Sequence, residues 1–187
     1  LLEILVVLGI LSAVLVLAVP RIGQNKNNLK KIMREMTVLG KEIRHHARLK
    51  NRTYRLVMEM PEKGAHTYYV ESADGPVFSR SQKVLDAEKN LDENNKPKDP
   101  FQKDTAIIKK DRELPSTLFF GKVETAERDE VVTEGVAYVY FMPSGLVEQA
   151  LIQVTDKKDV TWTIIFNPLT GQSDIIEKGV DMRDLRK

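Results

Sequence analysis

The sequence predicts an α+β protein in which a long N-terminal helix packs on a mainly antiparallel β-sheet domain. The first half of that helix reads as membrane-spanning and the second half as amphipathic. Three observations carry the expectation. Residues 1–19 contain a single charge, Glu3; apolar residues then recur at three- and four-residue steps from Leu29 to Ala47; and strand-turn-strand patterns dominate from Thr53 onward.

At 187 residues the chain accommodates one globular domain and an appended element rather than two full domains. Three segments follow: 1–22 as a transmembrane or filament-core helix, 23–52 as its amphipathic continuation, and 53–187 as a β-rich domain with a charged insertion at about 80–115. Charge divides the same way. Residues 1–20 carry −1, residues 21–55 carry +9 and residues 56–187 carry −6, although the whole chain is only +2. Mean hydropathy of −0.31 conceals this partition.

In the first segment, twenty helical residues span about 30 Å, the thickness of a bilayer's hydrocarbon core. That run exceeds a signal-peptide core, has no basic stretch before it and no small-residue cleavage site after it, so a removable signal peptide is the weaker expectation. The following cations would point to a cytoplasmic side by charge alone. Glu3 is costly in an apolar setting, by about 2.5 to 3.5 kcal/mol at mid-bilayer and less near a helix end. Such an acid calls for a partner.

In the second segment, Pro20 is expected to kink the helix, and Gly23-Gln24-Asn25 forms a polar break. Leu29, Ile32, Met33, Met36, Leu39, Ile43 and Ala47 make one apolar stripe, expected to pack on the sheet. Lys30, Lys31, Arg34, Lys41, Arg44 and Arg48 fall mostly elsewhere. This basic face suits acidic surfaces on filament neighbours; without an interleaved aromatic it offers no base-stacking platform, so nucleic acid is not an expected partner. His45 and His46 are adjacent, hence about 100° apart on a helix, and are not expected to share a metal.

In the third segment, residues 53–58 and 66–71 flank Pro61-Glu62-Lys63-Gly64. Residues 136–142 and 147–154 flank Pro143-Ser144-Gly145, and residues 160–166 and 172–176 flank Pro168-Leu169-Thr170-Gly171. Each pattern predicts a hairpin. The insertion is expected to be a solvated loop with a short helix over 82–91, and it lacks the central glycine and closing glutamate of a calcium loop. No nucleophile elbow, zinc-protease motif, phosphate loop or dinucleotide fingerprint occurs, so neither an enzyme nor a cofactor is expected. With no cysteine, disulfides and thiolate ligands are excluded.

The run Leu1-Leu2-Glu3-Ile4-Leu5-Val6-Val7-Leu8-Gly9-Ile10, with Pro20 closing the apolar stretch, resembles the N-terminus of type IV pilins and type II secretion pseudopilins. "YFMPSGLVEQALIQV" followed by "WTIIFNPLTGQSDI" is similar to the C-terminal pattern of the GspH/FimT group of minor pseudopilins and minor pilins. The resemblance implies a pilin-like fold. It implies processing by a prepilin peptidase, with two residues before Leu1 and an N-methylated first residue. It implies Glu3 as the assembly residue, paired with a neighbour's N-terminal amine, and Leu1, Leu2, Ile4, Leu5, Val6, Val7, Leu8 and Ile10 as filament core. The implied location is the bacterial inner membrane, single-pass, with the C-terminal domain in the periplasm. Implied partners are major and minor pseudopilins and an inner-membrane assembly platform. The expected function is that of a minor pseudopilin near a pseudopilus tip, supporting protein export. The alternative is a minor pilin that primes assembly or takes up DNA, for which "DMRDLRK", net +1, is a weak footprint.

Overall fold

The computed structural model describes residues 2–77, 99–126, 131–156, 158 and 160–186, with backbone alone for 2, 13–24 and 186. Among the described residues, one helix, α1 (Leu2–Lys50), precedes ten strands and a 3-10 turn, Met182–Arg186. The strands are β1 (Arg52–Met60), β2 (Thr67–Asp74), β3 (Gln102–Lys103), β4 (Arg112–Glu113), β5 (Phe119–Thr125), β6 (Val131–Val132), β7 (Gly135–Phe141), β8 (Ala150–Thr155), β9 (Thr161–Phe166) and β10 (Ser173–Ile176). They form two five-stranded antiparallel sheets. In the first, β3 and β4 pair with opposite ends of β2, followed by β1 and β7; the second runs β10-β9-β8-β5-β6.

Both sheets and the C-terminal part of α1 share one core. Leu29, Ile32, Met33, Met36, Leu39, Ile43 and Ala47 are buried in a single cluster with Tyr54, Leu56, Met58 and Met60 of β1 and with Ile152, Val154, Ile164 and Phe166 of the second sheet. The alternation of Tyr54, Leu56, Met58 and Met60 is the period of two that places every second side chain on one sheet face. Polar ties fix the helix at three heights: Asn25 Nδ2 donates to Asp156 Oδ2 at 3.3 Å, Ser173 Oγ to Thr37 Oγ1 at 3.0 Å, and Arg44 Nε to the Gly145 carbonyl at 2.7 Å.

The structure corrects the expected fold class. Among the described residues no helix is long and apolar enough to cross a membrane. From Asn25 onward the helix is rich in charge, including Lys26, Lys30, Arg34, Lys41, Arg44 and Arg48. The transmembrane segment and single-pass inner-membrane placement are therefore overturned. So is the pilin-like fold of a long, half membrane-spanning N-terminal helix packed on a mainly antiparallel β-sheet domain: the buried stripe Leu29–Ala47 of α1 packs on two antiparallel sheets at once. Helical backbone runs on through Pro20 and through Gly23–Asn25, the expected polar break.

Two further corrections concern the strands. The Pro143-Ser144-Gly145 turn does not close a hairpin: β7 pairs with β1, β8 pairs with β5 and β9, and a lone bridge, Phe141 to Val147, spans the turn. The chain crosses there from one sheet to the other, because apolar residues of β7 and β8 both face the shared core. The insertion is not wholly a solvated loop either. Phe101, Ile108 and Leu114 are buried, and β3 and β4 extend the first sheet; the anticipated helix at 82–91 lies outside the described residues. β5 escaped the alternation pattern because the ladder shifts register between Phe120 and Lys122, at Gly121.

Gly40 sets the separation between α1 and β9. A methyl group there would overlap the Phe166 ring, which itself stacks edge-on against Phe141 at 5.9 Å. Helix propensity alone would make Gly40→Ala stabilising by about 1 kcal/mol. Overpacking reverses the sign: urea denaturation of Gly40→Ala is expected to show a loss of about 1 to 3 kcal/mol.

Candidate assembly surface

The first described turns of α1 are exposed to solvent. Glu3 through Ser12 are all exposed, and Ile4, Leu5, Val6, Val7, Leu8, Ile10 and Leu11 each keep between 52% and 68% of their surface accessible. Because these residues are consecutive, apolar surface faces every side of the helix. Complete burial of one such side chain is worth about 1.5 to 3 kcal/mol, so this segment has a large driving force for association. Glu3 lies at its head, where an acid complements the helix macrodipole. Leu1 and the Leu2 side chain lie outside the described residues, as does the side chain of Pro20.

The predicted packing residues lie elsewhere on the same helix. Leu29, Met33, Met36 and Ile43 are completely buried, and Ile32 and Leu39 nearly so. The residues expected to serve assembly and those expected to pack on the sheets therefore lie in different halves of α1, joined by helical backbone.

At the C-terminal end of α1, two turns close around its basic flank. The Asn167–Gly171 turn is organised by Asn167, whose Oδ1 accepts from the Leu169 and Thr170 amides at 3.0 and 3.1 Å. Gly171 ends this turn with φ +63, and a side chain there would strike the Arg44 stem. Its glycine thus meets two requirements at once, a left-handed backbone and close approach of the helix. The neighbouring turn supplies the Gly145 carbonyl to Arg44. Beside the two turns lies a largely apolar cavity of about 780 Å³, walled by Pro76, Met142, Leu146, Val147, Pro168 and Leu169. Leu146 and Leu169 are exposed at its rim, 47% and 73% accessible.

A charged cluster on the outer face of the first sheet went unread in the sequence. The Arg55 guanidinium lies 2.5 Å from Glu71 and 2.7 Å from Asp99, sandwiched between the rings of Phe101 and Tyr138 at 4.1 and 4.4 Å. Burial pulls its pKa down, but hydrogen bonds and charge from Asp99 and Glu71 outweigh that and hold it above the ordinary arginine range. The available signal was a lone arginine inside "TYRLVM", at a position whose neighbours are all core. This cluster fastens the chain at Asp99–Phe101 onto β1 and β2. A second pair of contacts anchors the C-terminus: Lys122 Nζ meets Glu124 at 2.6 Å and also Asp181, while the Met182 amide donates to Glu124 Oε2 at 2.7 Å.

Among the described residues no group of three or more His, Asp or Glu could hold a metal. His45 and His46 stand edge to face with centroids 6.5 Å apart, and His66 is buried between Phe119 and Phe120, its Nδ1 accepting the Phe120 amide at 3.2 Å. Arg183 is exposed; the Arg186 side chain and Lys187 lie outside the described residues. No family model, curated protein or solved structure matches this chain.

Because Arg55 and Glu71 are 8% and 13% accessible, removing the cation leaves a nearly buried carboxylate unpaired. Arg55→Ala is expected to cost about 3 to 5 kcal/mol by chemical denaturation. Asp99→Ala, at the more exposed partner, is expected to cost about 1 kcal/mol or less.

Proposed function

We propose that this chain is a structural subunit of a helical filament, acting as a minor pseudopilin of a type II secretion system near the pseudopilus tip. The observation that carries the proposal is the exposed apolar segment Ile4–Leu11 with Glu3 at its head. A filament whose subunits bury such segments against one another gains apolar burial at every added copy, and repeated non-closing contacts give an open helical assembly. Glu3 then sits inside an apolar bundle, where a neighbouring N-terminal amine neutralises it, as the resemblance to pilins implies. The sheet domain is held outside the bundle by the Asn25–Lys50 part of α1. Its exposed rim residues Leu146 and Leu169 provide contact area for a different subunit.

The proposal gives the chain no catalytic step. Its work is positional: one half of α1 associates, and the other half fixes the sheets to it.

Glu3→Ala is expected to leave the fold of residues 25–187 intact while reducing recovery of the chain in co-purified filaments by about tenfold or more, the equivalent of about 1.4 kcal/mol per added subunit. Leu5→Glu is expected to abolish recovery. Normal incorporation of both variants overturns the proposal. Deletion of the gene, scored in parallel for protein export, surface motility and DNA uptake, separates the two machines: loss of export alone supports the pseudopilus, and loss of motility or uptake with export intact assigns the subunit to a type IV pilus.

A further inference from the structure

Among the described residues, the cations on the β-strands form salt bridges, and those on one ridge of α1 do not. Arg52 meets Asp74, Arg55 meets Glu71 and Asp99, Lys103 meets Asp111, Arg112 meets Glu35, and Lys122 meets Glu124 and Asp181. Among the described residues, Lys26, Lys30, Arg34, Lys41 and Arg48 form no salt bridge, and all five are exposed.

Helical geometry gathers them. At about 100° per residue, these five together with Arg44 and His45 fall within one arc of about 100°. Glu35 and Glu42, the acids of residues 25–50, fall outside that arc. Glu35 is moreover engaged by Tyr68 and Arg112. From residue 26 to residue 48 the ridge extends about 33 Å along the helix. Near its end a concavity of about 250 Å³ opens between Lys41, Arg44, His45 and Arg48 on the helix and Thr170 and Gly171 on the opposing turn. Arg44 is held in place there by its bond to the Gly145 carbonyl.

We infer that this ridge binds the phosphate backbone of duplex nucleic acid without reading sequence. Its length matches one turn of B-form duplex, about 34 to 36 Å. A row of unpaired cations with no intervening acid is suited to releasing counterions from a polyanion. No Phe, Trp or Tyr lies on residues 25–50, so stacking onto unpaired bases has little platform; the sequence-based expectation against nucleic acid rested on that lack alone, and contact with duplex phosphates does not require stacking. A lipid surface fits less well, because an interfacial helix must insert an apolar face, and the apolar face of this part of α1 is buried in the core. The inference is independent of filament assembly: the ridge and the Ile4–Leu11 segment occupy different halves of α1.

The test is fluorescence anisotropy of the full chain, kept in mild detergent, against two labelled duplexes of unrelated sequence about two turns, roughly 21 bp, long. Expected are equal affinities for both duplexes and a log–log salt slope of about −3 to −4, as four phosphates are neutralised. Lys30→Glu with Lys41→Glu removes about two from that slope and weakens low-salt binding at least about tenfold. Lys31→Glu with Lys109→Glu, off the ridge, changes the affinity less than about twofold. Circular dichroism establishes that each variant remains folded, as exposed unpaired side chains permit. Absence of duplex binding at low salt overturns the inference, as does equal weakening by both double variants. Preference for a single strand of the same sequence also overturns it, as does flotation with phosphatidylglycerol vesicles when duplex is not bound.

Discussion

Everything in the folded domain depends on one shared surface, the stripe from Leu29 to Ala47 buried against two sheets at once. Neither sheet has a full cover without it: β1 and β7 present Tyr54, Leu56, Met58, Val139 and Phe141 to the helix from one direction, and β8 and β9 present Ile152, Val154, Ile164 and Phe166 from another. Burying one helical side chain there is worth about 1.5 to 3 kcal/mol, and the same methyl groups contribute to the closure of both sheets. The close approach at Gly40 and Phe166 fixes the helix height, and the ties at Asn25, Thr37 and Arg44 fix its rotation. With rotation fixed, the basic ridge has only one direction in which to face.

Charge in this protein is sorted by what surrounds it. On the sheets, cations lie over buried or half-buried backbone and are held by carboxylates, most completely at Arg55, which touches two acids and two aromatic rings. A cation in that setting without a partner would be destabilising. On the solvent side of α1 no such penalty applies, and the cations stay hydrated and unpaired. Local environment thus converts one residue type into a structural clamp in one place and an electrostatic surface in another.

The two halves of α1 face opposite problems. From Asn25 onward the helix satisfies its apolar face within its own chain, whereas from Ile4 to Leu11 apolar groups surround the helix and no described residue of the domain covers them. Covering such a segment would be worth about 1.5 to 3 kcal/mol for each side chain fully buried.

The sequence by itself determined the periodic features. The stripe of Leu29, Ile32, Met33, Met36, Leu39, Ile43 and Ala47 was legible because a period of 3.6 is a local property, and β1 with β2 and β9 with β10 were legible because hairpin turns are local too. The apolar head and Glu3 were equally plain, but the span drawn from them was not supported. Tertiary structure decided the rest. It sent β7 and β8 into different sheets across a turn that looks like a hairpin, it recruited Phe101, Ile108 and Leu114 from a charged insertion, and it gave Arg55 its partners Glu71 and Asp99, the second of them 44 residues away. Pairing between distant segments depends on which faces meet in the core, and no local spacing encodes that choice.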